Sequence, residues 1–141
     1  PNNPDPDADQ GQHQFTYSIF PHENDLIRSN VIWEATCLNQ IPIMFNGVRT
    51  NNGIPVKLNG NGLELTVLKK GEKEDYLIIR IVETSGRHST GSLKLNGTLT
   101  ECDFMEWNDM GSQTNVEESM PLSFSPFEIK TFKFVTKVTP S

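Results

Sequence analysis

The sequence predicts a mainly β fold, an antiparallel β-sandwich with one short helix near the N-terminus. Most apolar residues fall in short runs with the two-residue period of strands. Asn-Gly pairs, which favour tight turns, separate several of these runs. One stretch alone has the apolar spacing of a helix. With 141 residues, the chain is long enough to bury one core without disulfides or metals.

The first twelve residues are predicted to be a flexible linker or loop. They contain three prolines and three aspartates and almost nothing apolar, so burial cannot offset the entropy cost of ordering them. The sandwich domain is therefore assigned to residues 13–141. Residues 15–19 alternate Phe, Tyr and Ile with polar residues, which predicts a first strand that ends at Pro21.

The helix is predicted near residues 25–38, with Asn24 or Asp25 as its N-cap. Apolar residues spaced by four, four and three place one stripe on a single, inward face: Ile27, Val31, Ala35 and Leu38. A second apolar stripe is left over: Leu26, Trp33 and Cys37. We therefore expect the helix to meet a second surface, such as another domain. A pair of short strands around residues 31–33 is the alternative.

The rest of the chain reads as strands and turns. The predicted strands are residues 43–45 before Asn46-Gly47, 63–68 after the glycines at 60 and 62, 76–82, 92–95 turning in a hairpin at Asn96-Gly97 into 98–104, and 129–135. Residues 76–82 are predicted to be covered on both faces, and residues 129–135 to form a closing strand. Four apolar side chains are expected to be mostly buried: Ile79, Ile81, Phe127 and Ile129.

Composition excludes several classes of partner. Eighteen acidic against twelve basic residues give a net charge of −6, which would repel a phosphate backbone, so no nucleic acid is expected. No apolar run approaches the roughly 20 residues of a membrane helix. Cys37 and Cys102 are more typical of two reduced thiols than of a disulfide framework. A reducing compartment, the cytoplasm, is therefore expected.

No residue of the chain is assigned a catalytic, cofactor-binding or metal-binding role. His13, His22 and His88 lack metal-ligand spacing. Four carboxylates lie close together in sequence, but Glu101 and Asp103 would share one strand face, which favours a solvated surface over an opposed catalytic pair. The carboxylates are Glu101, Asp103, Glu106 and Asp109. Trp107, next to Asn108, has the chemistry of a sugar-stacking platform, although a core or interface role is the commoner use of such a residue.

Several segments together resemble glycoside hydrolase family 38 α-mannosidases, in the order that the family has them. Residues 9–17 (Asp-Gln-Gly-Gln-His-Gln-Phe-Thr-Tyr), continuing to Pro21-His22, resemble its D-x-G-x-H-x-F-x-Y … P-H passage. Residues 35–42 resemble its A-x-x-L-N-x-P segment, and residues 79–86 its hydrophobic-R-hydrophobic-x-E-x-x-G strand. Residues 126–131 match its closing P-F-E-I-K-T strand, the most specific piece. The resemblance covers about residues 13–134.

This resemblance implies the C-terminal, non-catalytic β-sandwich domain of a larger zinc-dependent retaining α-mannosidase. In that family the metal ligands and catalytic aspartates lie in other domains, so the resemblance implies no cofactor in this chain and zinc in the parent catalytic domain. The implied partners are the catalytic and helical domains of the parent, and mannose-containing glycans. Glu83 or Arg80 would pair inside the sandwich. The alternative is a free-standing carbohydrate-binding or adhesion-type β-sandwich module.

Overall fold

The structure is a computed structural model that describes residues 10–26, 28–40, 46–47, 56–72 and 75–137. The chain divides into two compact units, Pro1–Ile43 and Met44–Ser141. Each unit is described by itself. Most of the linker predicted at residues 1–12, and the strand predicted at residues 43–45, lie outside the described residues.

The first unit contains one helix among its described residues, α1, which spans Val31–Asn39. The predicted helix is confirmed, but its predicted start near residue 25 is wrong, and so are the alternative strands at residues 31–33. Asp25 closes a separate turn, because its carboxylate accepts a hydrogen bond from Arg28 N at 2.9 Å and its carbonyl accepts one from Ser29 N at 3.1 Å. An aspartate that satisfies nearby backbone in this way favours a turn over a helix interior.

No residue of α1 is buried. Leu38 and Ala35, which were predicted to turn inward, are both exposed, so that prediction is wrong. Trp33 is 67% exposed, and the left-over stripe of the helix therefore faces solvent. Ile27 lies outside the described residues. An apolar helix face is buried only when another element packs closely on it. Here Ser18, Phe20 and His22 line a cleft with α1 and leave the helix unburied.

Residues 13–21 form no strand, so the strand predicted at residues 15–19 is wrong. Phe15, Tyr17 and Ile19 are 80%, 79% and 84% exposed. The alternation of apolar and polar residues is present, but a strand also requires a neighbouring backbone with which to exchange hydrogen bonds.

The second unit is an antiparallel β-sandwich, as the sequence predicted. Its described residues form eight strands: β1 (Lys57–Asn59), β2 (Leu63–Lys70), β3 (Leu77–Glu83), β4 (Ser89–Lys94), β5 (Gly97–Cys102), β6 (Thr114–Val116), β7 (Ser119–Phe124) and β8 (Ile129–Thr136). One sheet has the order β1-β4-β7 and the other the order β2-β3-β8-β5-β6. Across the described ranges, we find no helix that is long and apolar enough to span a membrane.

The Asn96-Gly97 turn does not form the predicted hairpin. β4 belongs to the three-stranded sheet and β5 to the five-stranded sheet, so the chain crosses between the two layers here. Gly97 has a φ of 157°, and a Cβ at this position would lie 2.1 Å from Val135 O. Glycine is therefore required by the close approach of β8 to the crossover, and not by a two-residue turn.

The core lies between the two sheets. Ile79 and Ile81 of β3 are fully buried in it, as predicted, together with Phe132 and Phe134 of β8. The predicted burial of Phe127 and Ile129 is wrong, because these side chains are 70% and 47% exposed.

The exposure of Phe127 and Ile129 has a geometric reason. Phe127 occupies the turn before β8 with a φ of 58°. Side chains alternate between the two faces of a strand. Ile129 therefore shares the outer face of β8 with Thr131 and Lys133, while Phe132 and Phe134 point into the core. β3 was predicted to be covered on both faces, and this is confirmed for Ile78 on one face and for Ile79 and Ile81 on the other, all of them fully buried. β8, predicted as a closing strand, lies in the middle of its sheet.

Candidate functional site

A loop of residues 103–110, the crown loop, follows β5 and returns to the same strand. Met110 N donates to Glu101 O at 2.8 Å, and Cys102 forms an isolated bridge with Asp109. Both ends of the crown loop are therefore held at one place on the five-stranded sheet, and its middle projects from there.

The carboxylate of Asp103 organises the crown loop from within. It accepts hydrogen bonds from Trp107 N at 2.8 Å and from Asn108 at 3.2 Å (backbone N) and 2.7 Å (Nδ2). The bond from the Trp107 backbone is the largest of the influences that hold the pKa of Asp103 below its usual value. Asp103 is thus ionised near neutral pH and keeps the loop backbone in one conformation.

Arg80 joins the crown loop to the outer face of the sheet. It stands next to Thr131 in the β3–β8 register, and its Nε donates to Thr131 Oγ1 at 3.1 Å. Its Nη2 donates to Phe104 O and to Glu106 Oε1, both at 2.9 Å. The guanidinium carbon lies 4.2 Å from the centre of the Phe104 ring. One arginine therefore holds the loop by its backbone, a carboxylate and an aromatic face.

Two lysines complete the attachment. Lys69 Nζ lies 3.0 Å from Glu106 Oε2, so Glu106 is shared between two cations. Lys133 Nζ donates to Asp109 at 2.7 Å, and this bond raises the pKa of Lys133. Because Lys69 is on β2 and Lys133 on β8, the crown loop is attached across the outer face of the sheet. Four residues on that face are buried under it: Ile78, Thr100, Cys102 and Thr131.

The crown loop presents its apolar side chains to solvent. Phe104, Met105, Trp107 and Met110 are each between 58% and 69% exposed. Beside Trp107 and Phe104 lies a cleft of about 320 Å³. Its other walls come from the sheet and from the connection before β3, and include Lys69, Glu72, Tyr76 and Arg80. An aromatic surface on a braced loop therefore borders a cleft with charged walls.

A second polar cluster surrounds Glu83, at the end of β3. The side chain is fully buried. Its carboxylate accepts hydrogen bonds from Ser85 N and Oγ, Gly86 N at 2.8 Å, Ser89 Oγ at 2.9 Å and Phe127 N at 3.0 Å. Burial raises the pKa of Glu83, but these hydrogen bonds together outweigh burial and lower the pKa to about 2. Since Ser89 belongs to β4, the cluster ties the two sheets together.

The Glu83 cluster explains two of the motifs found in the sequence. Residues 79–86 supply Glu83 and Gly86, and residues 126–131 supply the Phe127 N–H. Gly86 has a φ of 69°, and a Cβ there would lie 2.6 Å from the Phe127 ring. The two segments are therefore a single structural unit, and their shared motif residues serve the fold.

The four carboxylates singled out in the sequence do not form an opposed pair. Asp103 is engaged by the crown loop backbone, Glu106 by Arg80 and Lys69, and Asp109 by Lys133. Glu101 lies on β5. The prediction that they share a solvated face is wrong for Glu106, which is mostly buried in its ion pairs, with a side chain 14% exposed. Arg80 pairs on the outer face and not inside the sandwich.

Cys102 lies next to this cluster through its bridge with Asp109, whereas Cys37 is on α1. Within the described ranges, no group of three or more His, Cys, Asp or Glu side chains could hold a metal ion. His22 Nδ1 lies 3.4 Å from Glu23 O. Cys37 is exposed and Cys102 buried, both as free thiols, and burial raises the pKa of Cys102.

Sequence reasoning found Trp107 but missed its surroundings. Asn108 and Asp109, its expected companions toward a sugar, are used inside the loop and by Lys133. Besides its neighbours in the crown loop, the residues that line the cleft with Trp107 lie 27 to 38 positions earlier, between Lys69 and Arg80. The sheet order β2-β3-β8-β5 brings these residues close to the crown loop, which follows β5, and no local sequence signal encodes that order.

Comparison with known proteins gives a consistent result. The sequence model described as "Glycosyl hydrolases family 38 C-terminal beta sandwich domain" matches residues 62–132. The chain is 27% identical to α-mannosidase G of Dictyostelium discoideum over 96% of its own length. It is 28% and 26% identical to α-mannosidase 2C1 of Homo sapiens and Mus musculus, over 99% and 100% of its length. No solved structure matches it.

The chain spans only 14% of the length of each of these three α-mannosidases.

Proposed function

The chain belongs to the C-terminal β-sandwich domain family of glycosyl hydrolases family 38, and from this premise we propose that it is the non-catalytic domain of a zinc-dependent retaining α-mannosidase. In this role the domain packs on and supports the catalytic part of its parent. The observation that carries the proposal is the match of the whole chain to 14% of three proteins named α-mannosidases.

The side chains support a structural role for this domain. Retaining glycosidases use two carboxyl groups about 5 Å apart, one as nucleophile and one as acid. Here Asp103 and Glu106 are already committed, the first to backbone N–H groups and the second to two cations. Zinc, which the described residues do not suit, is proposed to be held elsewhere in the parent.

The segment formed by residues 13–38 is proposed to carry the contact with the rest of the parent. Phe15, Tyr17 and Ile19 are about four-fifths exposed, and Trp33 and Leu26 are more than half exposed. Several large apolar side chains exposed in one segment are typical of a protein interface. The occupant is the remaining polypeptide of the parent, because the relatives are about seven times longer than the part that this chain matches.

Two free thiols support a reducing compartment, and the cytoplasm is proposed as the place where the parent works. The second candidate function, a free-standing carbohydrate-binding module, is favoured by the exposure of Trp107. The size of the native protein in cell extract separates the two, since a free-standing module migrates near 15.9 kDa and a domain of an α-mannosidase migrates with its parent.

The test is hydrolysis of an aryl α-mannoside by the full-length parent and by the purified 141-residue chain, each with and without added zinc. We expect zinc-dependent turnover by the parent and none by the chain, since Asp103 and Glu106 are already engaged by backbone N–H groups and by two cations. A parent in which Trp33 is replaced by Glu should lose soluble yield or thermal stability. Zinc-dependent turnover by the chain, free of full-length enzyme, would overturn the proposal.

A further inference from the structure

We propose that the cleft beside Trp107 is an accessory binding site for mannose-containing glycans. The class of sugar rests on the proposed function, whereas the site itself rests on the crown loop and the cleft. The cleft of about 320 Å³ is at the lower end of the range of small-ligand sites, roughly 300–1,000 Å³.

The chemistry of the walls matches that of a sugar. A pyranose ring has apolar C–H faces and a rim of hydroxyl groups, so it needs an aromatic plane together with side-chain donors and acceptors. Trp107 and Phe104 supply exposed aromatic surface, 67% and 59% accessible. Lys69 and Glu72, which also line the cleft, supply a donor and an acceptor.

The charge of the cleft favours a neutral ligand. Lys69 and Arg80 contribute two positive charges, and Glu72 and Glu106 contribute two negative charges, so the charged wall residues sum to zero. A phosphate group or an acidic peptide would find no net attraction there. A polar, uncharged ligand with many hydroxyl groups can donate hydrogen bonds to the carboxylates and accept them from the cationic side chains.

The same charges argue against a cleft covered by protein. Half of the wall residues are charged, whereas the buried centre of a protein interface is depleted in charged side chains. The segment at residues 13–38 is the better candidate for that role, because its described part exposes seven large apolar side chains: Phe15, Tyr17, Ile19, Phe20, Leu26, Trp33 and Leu38.

The site is also pre-organised. The Trp107 backbone N–H is held by Asp103 at 2.8 Å, and Arg80 holds Phe104 O and Glu106 at 2.9 Å. A loop that is already ordered loses little conformational entropy when a ligand binds. The backbone that carries the Trp107 indole therefore needs no further ordering when a ligand stacks on the ring.

The first test is a titration of the 141-residue chain with α-1,2-mannobiose, followed by NMR chemical shifts, with maltose as the control sugar. We expect a Kd of about 1 mM for mannobiose, with shifts in the crown loop, and at least tenfold weaker binding of maltose. Trp107→Ala should weaken mannobiose binding at least tenfold, and Trp107→Phe should restore part of it. Trp33→Ala is the matched control, since both indoles are 67% exposed, and should change binding less than twofold.

The second test uses the parent. Trp107→Ala should raise KM for a high-mannose oligosaccharide several-fold and leave kcat/KM for an aryl α-mannoside within twofold. Met110→Ala is the control, because Met110 is 69% exposed on the same loop and does not line the cleft. Equal binding of mannobiose by wild type and Trp107→Ala, equal binding of maltose, or no binding at all would overturn the inference.

The two proposals fail in different ways. A wild-type parent without mannosidase activity contradicts the proposed function, whatever the chain binds. An active parent whose Trp107→Ala variant loses stability or its contact with the catalytic part shows that protein covers the crown loop, and overturns the accessory site alone.

Discussion

Glu83 and Glu106 each use one carboxylate to hold a loop on the sandwich, but they do so with different partners. Glu83 is fully buried and accepts hydrogen bonds from neutral donors, three of them backbone N–H groups. Glu106 lies at the outer face and is paired with Arg80 and Lys69. The first joins the two sheets, and the second attaches the crown loop to one sheet.

The difference follows from where water can reach. A buried carboxylate surrounded by converging N–H and O–H donors is stabilised without a cation, and each donor would lose its partner if the carboxylate were removed. Glu106 keeps 14% of its side chain exposed, and its charge is balanced by the two cations of Arg80 and Lys69. The Glu83 cluster therefore serves the stability of the fold, and the Glu106 cluster serves the position of the crown loop.

The largest expected effect is on the Glu83 cluster. Replacing Glu83 by Gln keeps the shape but turns an amide NH₂ toward groups that also donate, so at least one buried donor loses its partner. We expect the melting temperature of the chain to fall by roughly 10 °C. Calorimetry measures this, with Glu117→Gln as the control because that carboxylate is 88% exposed. Similar melting temperatures for both variants would contradict the assigned role of Glu83.

The pH dependence of stability sharpens the same comparison. The pKa of Glu83 is lowered in the folded chain from 4.5 to about 2, so the unfolded chain takes up the proton first. The stability due to the ionised carboxylate is complete above pH 4.5 and is lost as the pH falls toward 2. The difference in melting temperature between wild type and Glu83→Gln should therefore shrink over that interval. A difference that stays constant down to pH 2 would show that the carboxylate titrates normally.

A smaller effect is expected for the Glu106 cluster. Replacing Arg80 by Met removes the donors to Glu106 and to Phe104 O, and should lower the free energy of unfolding by about 1–2 kcal/mol. Proteolytic cleavage within the crown loop should also become faster. Lys70→Met is the control, because it breaks an ion pair whose side chains are 72% and 98% exposed. A loss of stability as large as that of Glu83→Gln would remove the distinction between the two clusters.

The first unit shows why an amphipathic pattern does not by itself decide structure. Residues 15–19 have the alternation of a strand but no paired backbone, and α1 has apolar stripes but no buried residue. In both segments the pattern shows which side chains would be stabilised by burial. The pattern does not show which element packs on these side chains, since that depends on other parts of the polypeptide.

The sandwich shows the reverse situation. Its strands were predicted correctly where apolar residues are dense, as in β3, because such a segment can be stable only between two layers. Asn96-Gly97 was predicted as a hairpin and is a crossover between sheets. The dipeptide predicts a turn and close backbone contact, but the destination of the following strand depends on which partner is free to pair.

The sequence by itself determined the β-sandwich class, the family resemblance, the central position of Ile79 and Ile81, and Trp107 as a candidate for sugar contact. These properties rest on local periodicity and on short motifs. Tertiary structure decided that Glu83, Gly86 and Phe127 form one cluster, and that Arg80 and Lys69 meet Glu106 under the crown loop. Those contacts join residues up to 44 positions apart, and only the pairing order of the strands brings them within hydrogen-bonding distance.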